Sequence, residues 1–282
     1  MEKLKKIGKV LGFGRLYHYF RPIPAPPRYK PDPVAATNAA RWQAGKKLKV
    51  ALCFSGQIRN LDKGYQHILK NILEPNQQDC DMDVFAHIWF SREDVGKKFV
   101  AASGVLVDSA VTATALMDVY KYYNPQKILV EKPVDFDEQD YGKRKAQFII
   151  PLYSLRKNYS IKKVMELKKE HELENNFTYD FVLSLRFDLG FNRPLLFRNF
   201  NPDIVSVSEF GMSDQGRGVD VTNAVIGGEL ADIYGQFYNF IDQYYREGEV
   251  FCDEPMFHRH LEYHNIPFKR LAAMNDFTLL RN

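Results

Sequence analysis

The chain has 282 residues with 45% hydrophobic and 14% aromatic content, enough for one large domain or two small ones. Its net charge of +4 is uneven, because residues 1–47 carry a net +9 and the remainder carries −5. A mildly acidic main domain excludes a general nucleic-acid binder, so no nucleic-acid partner is predicted.

Residues 1–46 are predicted to be a basic, proline-rich N-terminal extension that precedes a folded domain over residues 47–282. Residues 1–20 interleave lysines with apolar side chains. This pattern leaves two interpretations open: a basic amphipathic helix in peripheral contact with a membrane, or a tail that is frayed or docked on the domain. Three glycines favour the tail. Residues 21–34 contain six prolines, which predicts an extended, semi-rigid linker.

From residue 47 onward, strand-like and helix-like segments alternate. This order predicts an α/β fold with a Rossmann-type, mostly parallel sheet flanked by helices. The predicted strands are 48–54, 82–89, 127–130, 181–186, 204–208 and 224–227. The predicted helices are 61–73, 112–122, 145–170, 229–245 and 253–264.

The three cysteines are few and widely separated, at Cys53, Cys80 and Cys252. An odd count without a CxxC pair favours reduced thiols, which predicts a cytoplasmic location. No stretch is apolar enough to span a membrane, and lysines and glycines interrupt the apolar residues of the N-terminus, so no signal peptide is predicted.

The first candidate for chemistry is the strand-to-helix turn that follows Phe54. Gly56 allows close approach of the backbone to a ligand. Together with Ser55, Arg59 and the free amides at the start of the next helix, it suits a phosphate or a uracil-like ring. The turn is neither a Walker loop nor a GxGxxG turn. The alternative is an ordinary glycine in the first turn of an α/β fold.

The second candidate is the segment from Arg186 to Asp188, which ends a strongly apolar strand. Charges are costly to bury, but the carboxyl end of a strand faces the crevice where open α/β sheets bind ligands. Asp188 is predicted to hold Mn²⁺ or Mg²⁺, and Arg186 to bind phosphate oxygens. The alternative is an ion pair that closes the strand.

The third candidate is the acidic pair Asp253 and Glu254, before an apolar helix. An acid followed by Glu254 and Pro255 is typical of a helix start. The alternative is that one acid is the general base that deprotonates an acceptor hydroxyl. Asp220 competes for this role, since it follows a glycine-rich stretch, 211–218, predicted to be a flexible loop over the site.

Three strings together resemble a group of GT-A-type glycosyltransferases of bacteria, large viruses and phages. They are VALCFSGQIR from Val50, DVFAHIW from Asp83 and YDFVLSLRFDL from Tyr179. The resemblance covers about residues 47–270. It implies a GT-A-like fold, a nucleotide-sugar donor, and usually Mn²⁺ or Mg²⁺.

The resemblance also implies roles for individual residues. The donor-nucleotide loop matches Phe54, Ser55, Gly56 and Arg59. The last Asp of the Asp-x-Asp metal motif matches Asp188, but Arg186 stands where the first Asp is usual, which leaves strict metal dependence open. The acidic pair that begins a helix in many inverting members loosely matches Asp253-Glu254.

The sequence therefore predicts a glycosyltransferase that moves a sugar from a nucleotide-sugar donor to a hydroxyl of a glycan or lipid-linked acceptor. The resemblance places this reaction in surface polysaccharide or glycan synthesis. Two alternatives remain. A sulfotransferase-like enzyme also holds phosphates at a strand–turn–helix, although the first turn lacks its lysine. A non-catalytic glycan- or nucleotide-binding protein of the same fold stays open because of Arg186.

Overall fold

The computed structural model describes residues 46–96, 99–100, 106–107, 111–137, 141–146, 149–208, 218–271, 274 and 276–280. The predicted amphipathic segment and proline linker lie outside the described residues, and so does the predicted glycine-rich loop up to residue 217. No helix in the described part of the chain is long and apolar enough to cross a membrane.

Strands and helices alternate along the first half of the domain, as predicted, and short strands follow. The strands are β1 (Leu48–Gln57), β2 (Cys80–Trp89), β3 (Phe99–Val100), β4 (Leu106–Val107), β5 (Lys127–Glu131), β6 (Phe181–Leu185), β7 (Leu189–Phe191), β8 (Val205–Val207), β9 (Ala224–Gly227), β10 (Phe268–Arg270) and β11 (Phe277–Leu279). The α-helices of eight or more residues are α1 (Leu61–Ile68), α2 (Ala115–Tyr123), α3 (Pro151–Asn175), α4 (Gly228–Gly235), α5 (Phe237–Arg246) and α6 (Asp253–Tyr263). A π-helical turn (Leu69–Leu73) and a short α-helical turn (Glu74–Asn76) extend α1, and 3₁₀ turns occupy Arg92–Asp94, Tyr141–Arg144 and Phe197–Asn199.

Seven strands form one mixed sheet in the order β10-β8-β9-β6-β1-β2-β5. Parallel pairs join β5 to β2, β2 to β1 and β1 to β6, whereas β9 is antiparallel to both of its neighbours. This sheet with helices on both faces confirms the predicted α/β fold class. The chain proceeds outward from β1 to β5 and then returns to the other side of β1 as β6. This reversal makes the boundary between β1 and β6 a topological switch point.

Helices cover the central strands on both faces, and the buried side chains divide into two apolar clusters. Leu52 of β1 lies in the cluster that includes α1 and α2, and its neighbour Cys53 lies in the cluster that includes α3 to α6. A strand buried on both faces needs apolar residues at every position, which is why β1 is continuously apolar rather than alternating.

The structure differs from the predicted elements in several places. The predicted turn at 55–57 belongs to β1, which continues to Gln57. The predicted helix 229–245 is two helices on either side of Gln236. The preceding residue, Gly235, packs closely on α3, because a Cβ there would lie only 2.7 Å from the Cβ of Met165. Glycine is unfavourable inside a helix, so the residue that this packing requires also favours a break between the two helices. The short strands β3, β4, β7, β10 and β11 were not predicted. The helix predicted from residue 145 begins at Pro151.

A buried histidine on α6 makes the stability depend on pH. His260 is fully buried, its Nε2 donates to the Ile233 carbonyl at 2.9 Å, and its Nδ1 lies 3.0 Å from the Tyr244 hydroxyl. Burial lowers the pKa of His260 from 6.5 to about 4. The unfolded chain therefore binds a proton that the folded chain does not, between these two pKa values.

We expect His260 to lower the free energy of unfolding by up to about 3 kcal/mol as the pH decreases from 6.5 to 4. Replacing His260 with glutamine removes the titrating group, so the variant should show a flatter dependence of stability on pH. Urea denaturation at several pH values measures both slopes. Equal slopes for the two proteins would contradict the assignment.

Candidate active site

The candidate site lies at the carboxyl ends of β1 and β6. These parallel strands are neighbours, and Phe54 is in register with Leu185. The next residue on each strand is Ser55 on β1 and Arg186 after β6, so the first and second predicted constellations meet at one edge of the sheet. This edge is also the topological switch point, where open α/β sheets bind their ligands.

The end of β1 offers mainly its backbone. Gly56 has a φ of 111°, which favours glycine, and a Cβ built there would meet no atom within 4 Å. The ring of Phe54 is fully buried and stacks on Phe187 with 5.0 Å between ring centroids. Phe54 can therefore contact a ligand only through its main chain. Arg59 is half-buried, and its Nη2 donates to the side chain of Gln57.

A two-pronged ion pair joins Arg186 to Asp188. Nε of Arg186 lies 2.7 Å from Oδ1 of Asp188, and Nη2 lies 2.6 Å from Oδ2. The carboxylate is 2% exposed, but the guanidinium side chain is 30% exposed. Burial lowers the pKa of Arg186, and the adjacent Asp188 carboxylate outweighs this effect and raises it. The result is a permanent cation, oriented by a buried acid and accessible from the crevice.

The donor set around Asp188 does not fit the predicted Mn²⁺ or Mg²⁺. Both of its carboxylate oxygens bind Arg186, whose positive charge repels a cation. Within the ranges that the structure describes, no three His, Cys, Asp or Glu side chains are grouped closely enough to hold a metal ion. The ion-pair interpretation of this segment therefore describes the geometry, and metal dependence stays a prediction.

Two neighbouring elements hold the turn between Arg186 and Asp188 in place. Helix α1 approaches so closely that a Cβ on Gly64 would lie 2.0 Å from the carbonyl oxygen of Phe187. The C-terminal strand β11 pairs with β7, and the Leu280 amide donates to the Asp188 carbonyl at 2.8 Å. The Asn60 side chain donates to the carbonyl of Leu280, which ties this segment to the end of the β1 loop.

Replacing Gly64 with alanine should therefore displace the turn and lower the free energy of unfolding by about 3 kcal/mol, because the new methyl group overlaps a backbone carbonyl. Gly142 is the matched control, since a Cβ there meets nothing within 4 Å and no positive φ is involved. Its alanine variant should stay within about 0.5 kcal/mol of the parent. Chemical denaturation compares the three proteins, and equal stability of both variants would refute the close packing.

The third predicted constellation reaches the same edge from α6. The Asp253 carboxylate is buried and binds three groups of α3: the Ser154 hydroxyl at 2.9 Å, the Asn158 amide at 2.7 Å and the Lys157 ammonium at 2.6 Å. These donors engage both carboxylate oxygens of Asp253. Ser154 and Asn158 were missed by sequence reasoning, although their i, i+4 spacing at the start of a helix is a detectable polar signal.

Asp220, the competing base candidate, is also buried and hydrogen-bonded. The Ser208 hydroxyl donates to its Oδ2, and the Thr222 amide donates to Oδ1 at 2.8 Å. Its negative charge contributes to the raised pKa of Arg186, which places it near the ion pair. The Val219 amide donates to the Glu254 carbonyl at 3.2 Å, so Asp220 also lies next to the start of α6.

Glu254 differs from the other two acids. Its side chain is partly exposed, and the thiol of Cys252 donates to its Oε2 at 3.1 Å. A thiol is a weak donor, so this carboxylate is held by a weaker hydrogen bond than the carboxylates of Asp253 and Asp220. Cys252 itself is held as the thiol, because burial raises its pKa.

Near this edge, Ser160, His87 and Glu131 form a buried serine–histidine–acid arrangement. Nδ1 of His87 lies 2.6 Å from the Ser160 hydroxyl, and Nε2 lies 2.7 Å from the Glu131 carboxylate. Both His87 and Ser160 are fully buried, and burial lowers the pKa of His87. A hydroxyl without access to substrate does not act as a nucleophile, so this cluster joins β2, β5 and α3 structurally.

Comparisons with known proteins find similar solved structures but no related sequence. No protein-family model matches the chain. No curated protein matches it either. Among solved structures, it is similar to the galactosyltransferase LgtC in complex with donor and acceptor sugar analogues, at 11% sequence identity and a TM-score of 0.38. The similarity covers 78% of this chain and 73% of that one. At this identity and TM-score the comparison assigns neither activity nor substrate to this chain.

Proposed function

We propose that the chain is a glycosyltransferase that uses a nucleotide-sugar donor and transfers the sugar to a hydroxyl of a glycan or lipid-linked acceptor. The observation that carries this proposal is the position of the oriented, accessible Arg186 cation beside the open backbone of Gly56 at a topological switch point. A backbone loop next to a guanidinium suits a diphosphate, and a partly exposed acid nearby suits an acceptor hydroxyl.

In this proposal the chain's own residues perform two tasks. Arg186 binds the diphosphate and stabilises the negative charge that grows as the bond from sugar C1 to the leaving phosphate oxygen breaks. Asp188 acts as a positioning residue, because it fixes the guanidinium before the donor binds. The Ser55–Gln57 backbone contacts the nucleotide. No step is assigned to a metal ion.

The second task is removal of the acceptor proton. The acceptor oxygen forms a new bond to C1, and its proton passes to a carboxylate. Among the three candidates, we assign this role to Glu254, because Asp253 and Asp220 already accept strong hydrogen bonds. Asp253 and Asp220 then have positioning roles, at the start of α6 and beside Arg186.

A panel of nucleotide sugars, screened for release of nucleoside diphosphate with Mn²⁺ and with EDTA, tests the proposal. Release that persists in EDTA is the expected result, since Arg186 supplies the positive charge. Release that requires Mn²⁺ would restore the predicted metal and overturn the metal-free assignment. Nucleotide binding without turnover, in the presence of an acceptor mixture, would favour the non-catalytic alternative. Binding of a sulfonate donor alone would favour the sulfotransferase.

A further inference from the structure

Asn60 lies at the end of the loop after β1, and its geometry is not that of an ordinary helix start. It is the N-cap residue of α1, but its φ of 47° and ψ of 38° lie in the left-handed region. Its side chain makes no hydrogen bond to the first turn of α1, which the structure describes in full. An N-cap residue normally has an extended backbone and accepts a hydrogen bond from that turn, so Asn60 is held here for another reason.

The side chain of Asn60 instead binds the C-terminal segment. Its Nδ2 donates to the carbonyl of Leu280, which lies 220 residues later in the chain. The amide of Leu280 in turn donates to the Asp188 carbonyl at 2.8 Å. One residue of the C-terminal segment therefore binds the end of the β1 loop on one side and the turn after β6 on the other.

A second set of contacts joins the same two segments through α1. The Gly64 amide donates to the Asn60 carbonyl at 2.9 Å. Gly64 also packs on the turn after β6, because a Cβ there would lie 2.0 Å from the carbonyl oxygen of Phe187. These contacts form a closed path, which we call the brace: Asn60, Leu280, Asp188, Phe187 and Gly64.

The brace acts beyond the last paired residues of β1 and β6, which are Phe54 and Leu185. Gly56 is still held by the pairing of β1 with β2, whereas Arg186 follows the end of β6. The two groups proposed to bind the diphosphate therefore lie on segments that the ladder between β1 and β6 no longer joins. The brace joins them again, and a site whose parts are fixed in advance loses less entropy when its ligand binds.

We infer that Asn60 is a positioning residue for diphosphate binding. Through Leu280 it holds the turn of Arg186 and Asp188 against the β1 loop, so that one diphosphate contacts both Arg186 and the backbone at Gly56. This inference rests on the proposed function. The coupling is reciprocal: if the brace favours binding, then a bound diphosphate stabilises the brace.

Replacing Asn60 with glycine tests the inference, because glycine keeps the left-handed backbone and removes only the side-chain amide. Titration calorimetry of the full chain uses UDP, GDP, CDP and ADP as probes. For the diphosphate that binds the parent protein, Asn60→Gly should bind about fivefold more weakly, the effect of one lost hydrogen bond.

Asn176→Gly is the matched control. Asn176 also has a left-handed backbone, with φ 52°, but it ends α3 before β6 begins and so lies at the opposite edge of the sheet. The change of side chain and the region of backbone conformation are the same as at Asn60. This control should bind the diphosphate within about twofold of the parent.

Hydrogen exchange at the Leu280 amide gives a measurement that a purely structural contact would not affect. The diphosphate should slow this exchange in the parent and in Asn176→Gly, and slow it less in Asn60→Gly. Unchanged affinity in Asn60→Gly, or exchange at Leu280 that does not respond to the diphosphate, would overturn the positioning role and leave the proposed function standing. Failure of the parent to bind any of the four probes would overturn the proposed function and this inference with it.

Discussion

Replacing Arg186 with glutamine is expected to weaken nucleoside diphosphate binding and to lower donor turnover by about 100-fold, because the variant loses the charge aimed at the phosphates. The same change leaves the buried Asp188 carboxylate without its partner, and a broken buried pair costs about 3 kcal/mol of stability. Donor turnover and urea denaturation of one preparation measure both effects. Retained turnover in a folded variant would exclude Arg186 from the chemistry.

The double variant Arg186→Gln, Asp188→Asn separates the structural role of the pair from its functional role. It removes both charges and keeps side chains that are able to hydrogen-bond, so most of the lost stability should return. Diphosphate affinity should stay about 100-fold below the parent. If affinity returned together with stability, the pair would serve only to close the strand, and the site would lie elsewhere.

Replacing Lys168 with methionine is expected to cause the largest loss of stability, about 3–5 kcal/mol. Lys168 on α3 is 0% exposed, and its ammonium lies 3.0 Å from the Glu172 carboxylate and 2.8 Å from that of Asp232 on α4. The other oxygen of Glu172 accepts from the Tyr179 amide at 3.0 Å, just before β6. Loss of the lysine leaves Glu172 without its buried partner, because the remaining cation, Lys169, is 44% exposed and lies 3.6 Å from Glu172.

Lys163→Met on the same helix provides the control. Its ammonium lies 2.9 Å from Glu166, but both side chains are partly exposed, and pairs of this kind contribute about 0–1 kcal/mol. Thermal unfolding should show a midpoint roughly 10 °C lower for Lys168→Met and almost no change for Lys163→Met. Equal midpoints for the two variants would contradict the buried network.

Sequence reasoning found the elements whose pattern is local. The strands β1, β2, β5 and β6 are apolar and flanked by polar turns, and their alternation with helices was enough to predict the α/β fold. The ends of β1 and β6 could be placed at one edge because parallel strands share their direction. The strands β7, β10 and β11 span only three residues each, so they carry no periodic signal, and their existence depends on pairing across the chain.

Other features depend on tertiary contacts that a sequence does not display. Lys168 lies in a run of lysines and glutamates that is typical of a solvated helix face, yet Lys168 and Glu172 of that run are buried. Asp188 matched a metal motif by position, but its partner Arg186 determines what the carboxylate binds.

The central claim is that the crevice between β1 and β6 holds the diphosphate of a nucleotide sugar. A crystal structure with the nucleoside diphosphate selected by the donor panel tests it most directly. We predict phosphate oxygens within hydrogen-bonding distance of the Arg186 guanidinium and of the backbone at Gly56, with the Arg186–Asp188 pair retained. A diphosphate bound without contact to Arg186 would contradict the account.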